Sequence, residues 1–447
     1  MKQISKFVKL LTLSALLLTG LGISQTNTAQ STDMPLNPDV SGNVEFWHFW
    51  GSPVRRTAIR RVVAICEQQL PNIKVEEVFK PFGDIWTANI AAVAAGSGMP
   101  DVIVADRGQL PRDAKANLYQ DLEPYMERDG FDSAGFWPFT WEQTLYQDAS
   151  YGVPFETDVR VLYSNKNLLE QAGIDPVNPP KTWEELWDAA DKLDVKNADG
   201  TYSRITLNVL GGNGAPGIWF LLNNADLVKD GKPVVNSPEA IETVTWMKKW
   251  IDRYGGYDAY QRFVGQFSAP PNDIFMAGGT VMQVDTAGYN SILSFYRPQV
   301  KLENGDTPRM DWGVSLPPYD QNAGPASASG GFALSIPVGA ENPDAAWEFV
   351  KCVSSIPSQV SWSRDTAAIP TTVAAAQDPQ LLADPNWEFF VDAMEVTRVY
   401  PFVAEYPNWE TELANRYEQV WSGAMTPEEM LNEAQAAIDA EMAKSGQ

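Results

Sequence analysis

Glu156 and Asp158 stand one residue apart, just after the strand-like Gly152-Val-Pro-Phe155. Two carboxylates this close can act as the acid and base of glycoside hydrolysis. They can equally accept hydrogen bonds from sugar hydroxyls without any chemistry, and that is the reading adopted here. Other reactive residue types are scarce. His48 is the only histidine, and Cys66 and Cys352 are the only cysteines. That leaves no zinc-type cluster and argues against a histidine-based triad. Gly211-Gly-Asn-Gly214 follows a predicted strand but matches neither the dinucleotide nor the phosphate-loop pattern, so it reads as a plain loop. No catalytic residue, metal site or cofactor is expected, and the chain is not read as an enzyme.

Tryptophan is abundant, at 16 of 447 residues. Sugars present apolar C–H faces that pack on aromatic planes, while their hydroxyls need fixed polar partners. Tryptophans in loops beside glycine, proline or acids are the better candidates for such packing. Trp219 lies in Gly217-Ile-Trp-Phe220, and Trp409 closes Glu405-Tyr-Pro-Asn-Trp409. The densest aromatic run is Phe46-Trp-His-Phe-Trp-Gly51. It reads as a first strand, Val44–Trp50, whose carboxyl end meets the amino end of a helix. Ser52 would cap that helix and Pro53 would take its first position. Ligands bind at strand carboxyl ends in open α/β sheets. Trp47, His48 and Trp50 are therefore expected to face a cleft, with Phe46 and Phe49 in the core.

The elements that position these residues alternate. Strand Val44–Trp50, helix Pro53–Leu70, strand Ile73–Phe79, helix Ile85–Ala95 and strand Val102–Ala105 give β-α-β-α-β, hence a sheet covered by helices. The third strand ends at Asp106-Arg107. Further on, Thr182-Trp-Glu-Glu185 and Thr426-Pro-Glu-Glu429 are capping boxes that open helices. Cys66 and Cys352 each fall on the apolar side of a predicted helix. Two buried free thiols are expected, although export permits a disulfide.

The chain is too long for one hydrophobic core, so two lobes are expected. Residues 1–29 read as a secretory signal, with Lys2, Lys6 and Lys9 before an apolar run at Leu10–Leu21 that is too short to span a bilayer. No cysteine follows that run, which argues against a lipid anchor. Residues 30–42 read as a flexible leader, and the product as periplasmic or secreted. The formal charge of −24 argues against nucleic acid or an anionic membrane as partner.

These features come together in a resemblance to a known family. The chain resembles the extracellular solute-binding proteins of bacterial ABC importers, the sugar-type, maltose-binding-protein-like group. The motifs are Phe46-Trp-His-Phe-Trp-Gly51, Gly98-Met-Pro-Asp101, Tyr151-Gly-Val-Pro-Phe-Glu156, Tyr163-Ser-Asn-Lys166, Pro180-Lys-Thr-Trp-Glu-Glu-Leu186, Phe275-Met-Ala-Gly-Gly-Thr-Val-Met282, Gly330-Gly-Phe-Ala-Leu-Ser335 and Ala346-Trp-Glu-Phe-Val350. Each is weak alone; their order and spacing carry the resemblance over nearly the whole mature chain.

The resemblance implies a two-lobed Venus-flytrap fold, each lobe a mainly parallel α/β sheet flanked by helices. Lobe 1 maps to 41–153 plus 287–355, and lobe 2 to 154–286 plus 356–447. It implies a monomeric receptor that captures a sugar or oligosaccharide and delivers it to a membrane permease. By motif, the ligand-binding residues would be Trp47, His48, Trp50, Asp106, Arg107, Glu156, Asp158, Asp285, Tyr289 and Trp409, with Trp219 added from its loop. Gly330 and Gly331 would let the backbone approach a ligand closely. The first rival is the same scaffold binding glycerol 3-phosphate, with Arg107, Arg160 and Arg364 as the ready cations. The second is a secreted glycosidase.

Overall fold

The computed structural model describes residues 35–401, 403, 406 and 409–444. The expected signal, 1–29, and the start of the expected leader lie outside the described residues. Helix Pro53–Gln69 forms where expected. The Ser52 hydroxyl accepts the Arg55 N–H, and Ala58, Ile59, Val62, Val63 and Cys66 form its buried stripe.

The first lobe is built on six strands. Gly42–His48 is flanked in parallel by Ile73–Phe79 and Val102–Asp106. Beyond Val102–Asp106 come Gly331–Ser335, Val153–Thr157 and Ile369–Pro370, each antiparallel to its neighbour. Phe332 is in register with both Asp106 and Glu156, so three adjacent strand ends bring these residues side by side.

The second lobe carries five strands in the order Trp312–Ser315, Arg160–Asn165, Thr280–Thr286, Tyr202–Leu207, Val195–Lys196. Thr280–Thr286 runs parallel to Tyr202–Leu207; the other pairs are antiparallel. Both sheets are therefore mixed rather than mainly parallel. The chain passes between the lobes more than once and re-enters a sheet from its opposite end.

The lobe boundaries differ from the expected ones. Val153–Thr157 stays in the first sheet, so the first crossing falls at Asp158. Trp312–Ser315, expected in the first lobe, forms the edge of the second sheet. Helix Ile356–Thr366, expected in the second lobe, packs on helix Pro53–Gln69, and Ile369–Pro370 completes the first sheet. Short apolar runs such as these do not reveal which of two sheets they join.

Cys66 and Cys352 form a disulfide, with their Cα atoms 5.7 Å apart, rather than two free thiols. Helices Pro53–Gln69 and Pro343–Val353 cover the same core of the first lobe and bring the two residues together. Both expected capping boxes are present. Thr182 and Glu185 bond reciprocally, and Thr426 Oγ1 accepts the Glu429 N–H while Glu429 accepts the Thr426 N–H.

Candidate functional site

A cavity of about 650 Å³ opens between the two sheets. The first lobe supplies Phe49, Arg55, Phe82, Asp106, Arg112, Glu156 and Phe332, and the second supplies Arg160, Asn213, Thr286, Tyr400 and Glu410. Asp158, Ser329 and Gly330 line it where the chain crosses between lobes.

The polar groups of this cavity are largely matched to each other. Glu156 is buried; its Oε1 accepts from Arg55 Nη1 at 3.3 Å and its Oε2 from Trp362 Nε1 at 2.6 Å. Asp158 Oδ1 accepts from Arg160 Nη1 and from the Gly330 N–H. Arg160 Nη2 donates to Asn213 Oδ1 at 2.9 Å. Arg112 pairs with Asp113 at 2.7 Å and donates to Gln109 Oε1 at 2.6 Å. Among the described residues the Asp106 carboxylate accepts one hydrogen bond, to its Oδ1 from the Gly108 N–H at 2.9 Å. Burial raises the Asp106 carboxyl above the usual carboxylate range, against the lowering effect of that bond and of Arg107. Glu410 stays exposed at the edge of the cavity, and the partial desolvation there together with the nearby Asp106 raises its carboxyl.

Several expected residues meet here: Asp106, Glu156, Asp158, Gly330 and Gly331 all line the cavity. Gly331 has φ +136°, and a Cβ there would collide with the Glu156 carbonyl oxygen, so glycine is required. Arg107 lies beneath the cavity, fully buried, donating to Thr157 Oγ1 at 2.9 Å and to the Gly330 carbonyl. Burial lowers its guanidinium to about 10, against the raising effect of Asp158 and other carboxylates. Asp285 sits beside the cavity, next to the lining Thr286, and bonds Gln283 and the Thr286 N–H. Burial pushes its carboxyl up to about 6.

The aromatic expectations are corrected. Trp47 and His48 are adjacent in a strand, so their side chains leave on opposite faces. Trp47 packs beneath Lys80, whose Nζ lies 3.8 Å from the ring centroid. His48 stacks on Trp50, and Trp50 packs on Trp362 at 4.5 Å. All three are core. Phe49, expected in the core, is the ring that reaches the cavity, against Phe332 at 4.7 Å and Phe82 at 5.1 Å. Trp219 is fully buried and donates to the Val209 carbonyl. Tyr289 donates to Asp273 Oδ1 and packs edge-on against Tyr163 within the second lobe. Trp409 lines a separate, largely apolar cavity of about 360 Å³ with Phe220, Leu413 and Tyr417, which shares Tyr400, Pro401 and Glu410 with the first. Arg364 pairs with Asp365 outside both cavities.

Arg55, Arg112, Tyr400 and Glu410 were not anticipated. Arg55 had a signal, because it sits in the first turn of a helix whose amino end was expected at the cleft. Tyr400 and Glu410 arrive from distant sequence, with no local pattern to mark them.

Two α/β lobes facing a cavity walled by side chains from both define a cleft-binding receptor for a small solute. The chain belongs to the bacterial extracellular solute-binding proteins, whose family model matches residues 61–389. Members of this class serve ABC importers by presenting solute to a membrane permease. One relative, the sn-glycerol-3-phosphate-binding periplasmic protein UgpB of Salmonella paratyphi A, is 24% identical over 441 residues, covering 93% of this chain and 94% of its own length. The structure of CpMnBP1 with mannotriose bound superposes with a TM-score of 0.79 at 24% identity, covering 89% of this chain and 99% of that one. UgpB from Mycobacterium tuberculosis in complex with glycerophosphocholine gives a TM-score of 0.74 at 18% identity, over 91% of this chain and all of that one. Among the described residues no helix is long and apolar enough to cross a membrane.

Proposed function

We propose that this receptor captures a saccharide in the cavity between its lobes. The carrying observation is that each guanidinium lining the cavity already has a carboxylate partner: Arg55 with Glu156, Arg112 with Asp113, and Arg160 with Asp158. A phosphate would have to compete with those carboxylates for the same donors. Hydroxyls instead find acceptors in Asp106 and Glu410 and C–H-packing surfaces in Phe49, Phe332 and Tyr400. A ligand that touches both lobes favours the arrangement in which they close on it.

The paired acids also fit binding better than catalysis. Glu156 and Asp158 are each held by a guanidinium as hydrogen-bond acceptors, and neither is free to donate a proton to a leaving group. The reading is a non-enzymatic, exported receptor.

The second reading is glycerol 3-phosphate or a related phosphoester. It is favoured by the names of the two UgpB relatives and by Arg55 and Arg112 on the cavity wall. A thermal-shift screen of the purified protein against mono- and oligosaccharides and glycerol 3-phosphate separates the two. Native-state binding at a hundredfold excess over Kd adds about 2.7 kcal/mol of apparent stability. Shifts with saccharides support the proposal; a shift with glycerol 3-phosphate alone replaces it with the second reading.

A further inference from the structure

The charges around the cavity do not balance. Four guanidiniums, of Arg55, Arg107, Arg112 and Arg160, meet six carboxylates, of Asp106, Asp113, Glu156, Asp158, Asp285 and Glu410. Among the described residues Arg107 and three of the carboxylates, Asp106, Asp285 and Glu410, form no ion pair, and of those three Asp106 and Glu410 line the cavity. Asp106 closes a strand of the first sheet and Glu410 lies in the first turn of helix Trp409–Ala414 on the other side of the cavity. Among the described residues neither forms an ion pair. Among the same residues the Asp106 carboxylate accepts one backbone N–H, and none donates a hydrogen bond to the Glu410 carboxylate.

Resting on the saccharide reading, we propose that the ligand is an aminated saccharide whose ammonium group sits between Asp106 and Glu410. A hydroxyl would satisfy one lone pair on either carboxylate but would leave two like charges facing each other across a partly desolvated space. An ammonium carries up to three donors and the missing positive charge, and it answers both carboxylates at once. The Phe49, Phe332 and Tyr400 rings are left to pack on the sugar face.

A second consequence follows. The groups that face Asp106 are Arg107, Arg112, Asp113, Tyr119 and Glu410; those that face Glu410 are Asp106, Tyr400 and Tyr417. An ammonium between them lowers both carboxyls from their raised positions, so binding of the cationic form weakens in acid as the two carboxyls take up protons. A hydroxyl ligand brings no charge, and its binding does not weaken in this way.

The test is titration calorimetry at neutral pH. The probes are glucosamine, galactosamine and mannosamine and their short oligomers, each beside its N-acetyl and its hydroxyl counterpart, with glycerol 3-phosphate in the same series. We expect an aminated member to bind at least about tenfold tighter than its counterparts at low salt. The preference should shrink to within about threefold in the Asp106→Asn/Glu410→Gln double variant. The variant's folding is checked by its melting temperature and its circular dichroism spectrum. Equal binding of all three forms overturns the amine but leaves the saccharide reading standing. Binding of glycerol 3-phosphate alone removes both, and binding of no aminated member overturns the inference.

Discussion

Asp158 Oδ1 accepts the backbone N–H of Gly330 at 3.0 Å, and the two residues lie on different crossings between the lobes. Asp158 joins Val153–Thr157 of the first sheet to Arg160–Asn165 of the second. Gly330 separates Ser327–Ser329, whose Ser327 hydroxyl donates to the Arg160 carbonyl, from Gly331–Ser335 of the first sheet. The two crossings are thus clasped where the cavity begins. The expected cost of breaking the clasp is specific. Asp158→Ala strands the nearly buried Arg160 guanidinium and the Gly330 N–H, and urea unfolding should show a loss of about 3 kcal/mol. Asp158→Asn keeps an acceptor oxygen and should cost clearly less. Equal behaviour of the two variants would remove the clasp from the account.

Gly331 makes a sharper test of backbone geometry. Its φ of +136° and the adjacent Glu156 carbonyl leave no room for a side chain. Gly331→Ala should lower stability by about 3 kcal/mol, through strain and displacement of the strand pairing. Gly324 also has positive φ, at +86°, but has nothing within 4 Å. Gly324→Ala should cost only about 1 kcal/mol. Chemical denaturation of both variants checks the contrast.

The parts of this fold that were legible in the sequence are those governed by local rules. The strand–helix alternation from Gly42 to Asp106, the Ser52 cap and the Thr182–Glu185 box follow from periodicity and hydrogen-bonding capacity within a few residues. Asp106 was legible as a site candidate through the family motif, and Glu156 through that motif and its closeness to Asp158. The aromatic run failed for a physical reason. A central strand buries both faces, so composition cannot separate Trp47 and His48, which leave in opposite directions, from Phe49, which lies past the strand's last residue and turns into the cavity. Long-range placement was not legible at all. Nothing near Tyr400 or Glu410 announces a cavity formed with residues three hundred positions earlier, and nothing near Cys66 announces Cys352.

That disulfide closes a very long loop, spanning a sequence separation of 286. It ties two helices of the same lobe and touches neither cavity. Replacing both cysteines by serine, or reducing the bond, should lower stability by about 2–5 kcal/mol. Ligand affinity should stay within about twofold, since no cavity residue is moved. Calorimetric melting and a binding titration on the same sample check both halves.

Asp285 sets a pH dependence. Its carboxyl is held at about 6 in the folded protein, from an ordinary 3.8, chiefly by burial. A raised carboxyl contributes stability that is fully present below the unfolded value and is lost as pH rises through the folded one. Asp285 therefore costs the protein on the order of 3 kcal/mol at neutral pH, with the loss developing between about pH 4 and pH 6. Asp285→Asn should stabilise the protein above about pH 6 and have little effect near pH 4. Equal effects of the substitution at both pH values would contradict this.

The central claim is that a saccharide lies between the lobes, against Asp106, Phe332, Tyr400 and Glu410. Diffraction from crystals grown with the saccharide that gives the largest thermal shift tests it most directly. The account predicts ligand density in the cavity between the two sheets, with sugar polar groups within hydrogen-bond distance of Asp106 or Glu410 and a ring face on Phe49, Phe332 or Tyr400. Density confined to the apolar cavity beside Trp409 and Tyr417, or a phosphate seated on Arg55 and Arg112 with Glu156 and Asp113 displaced, would contradict it.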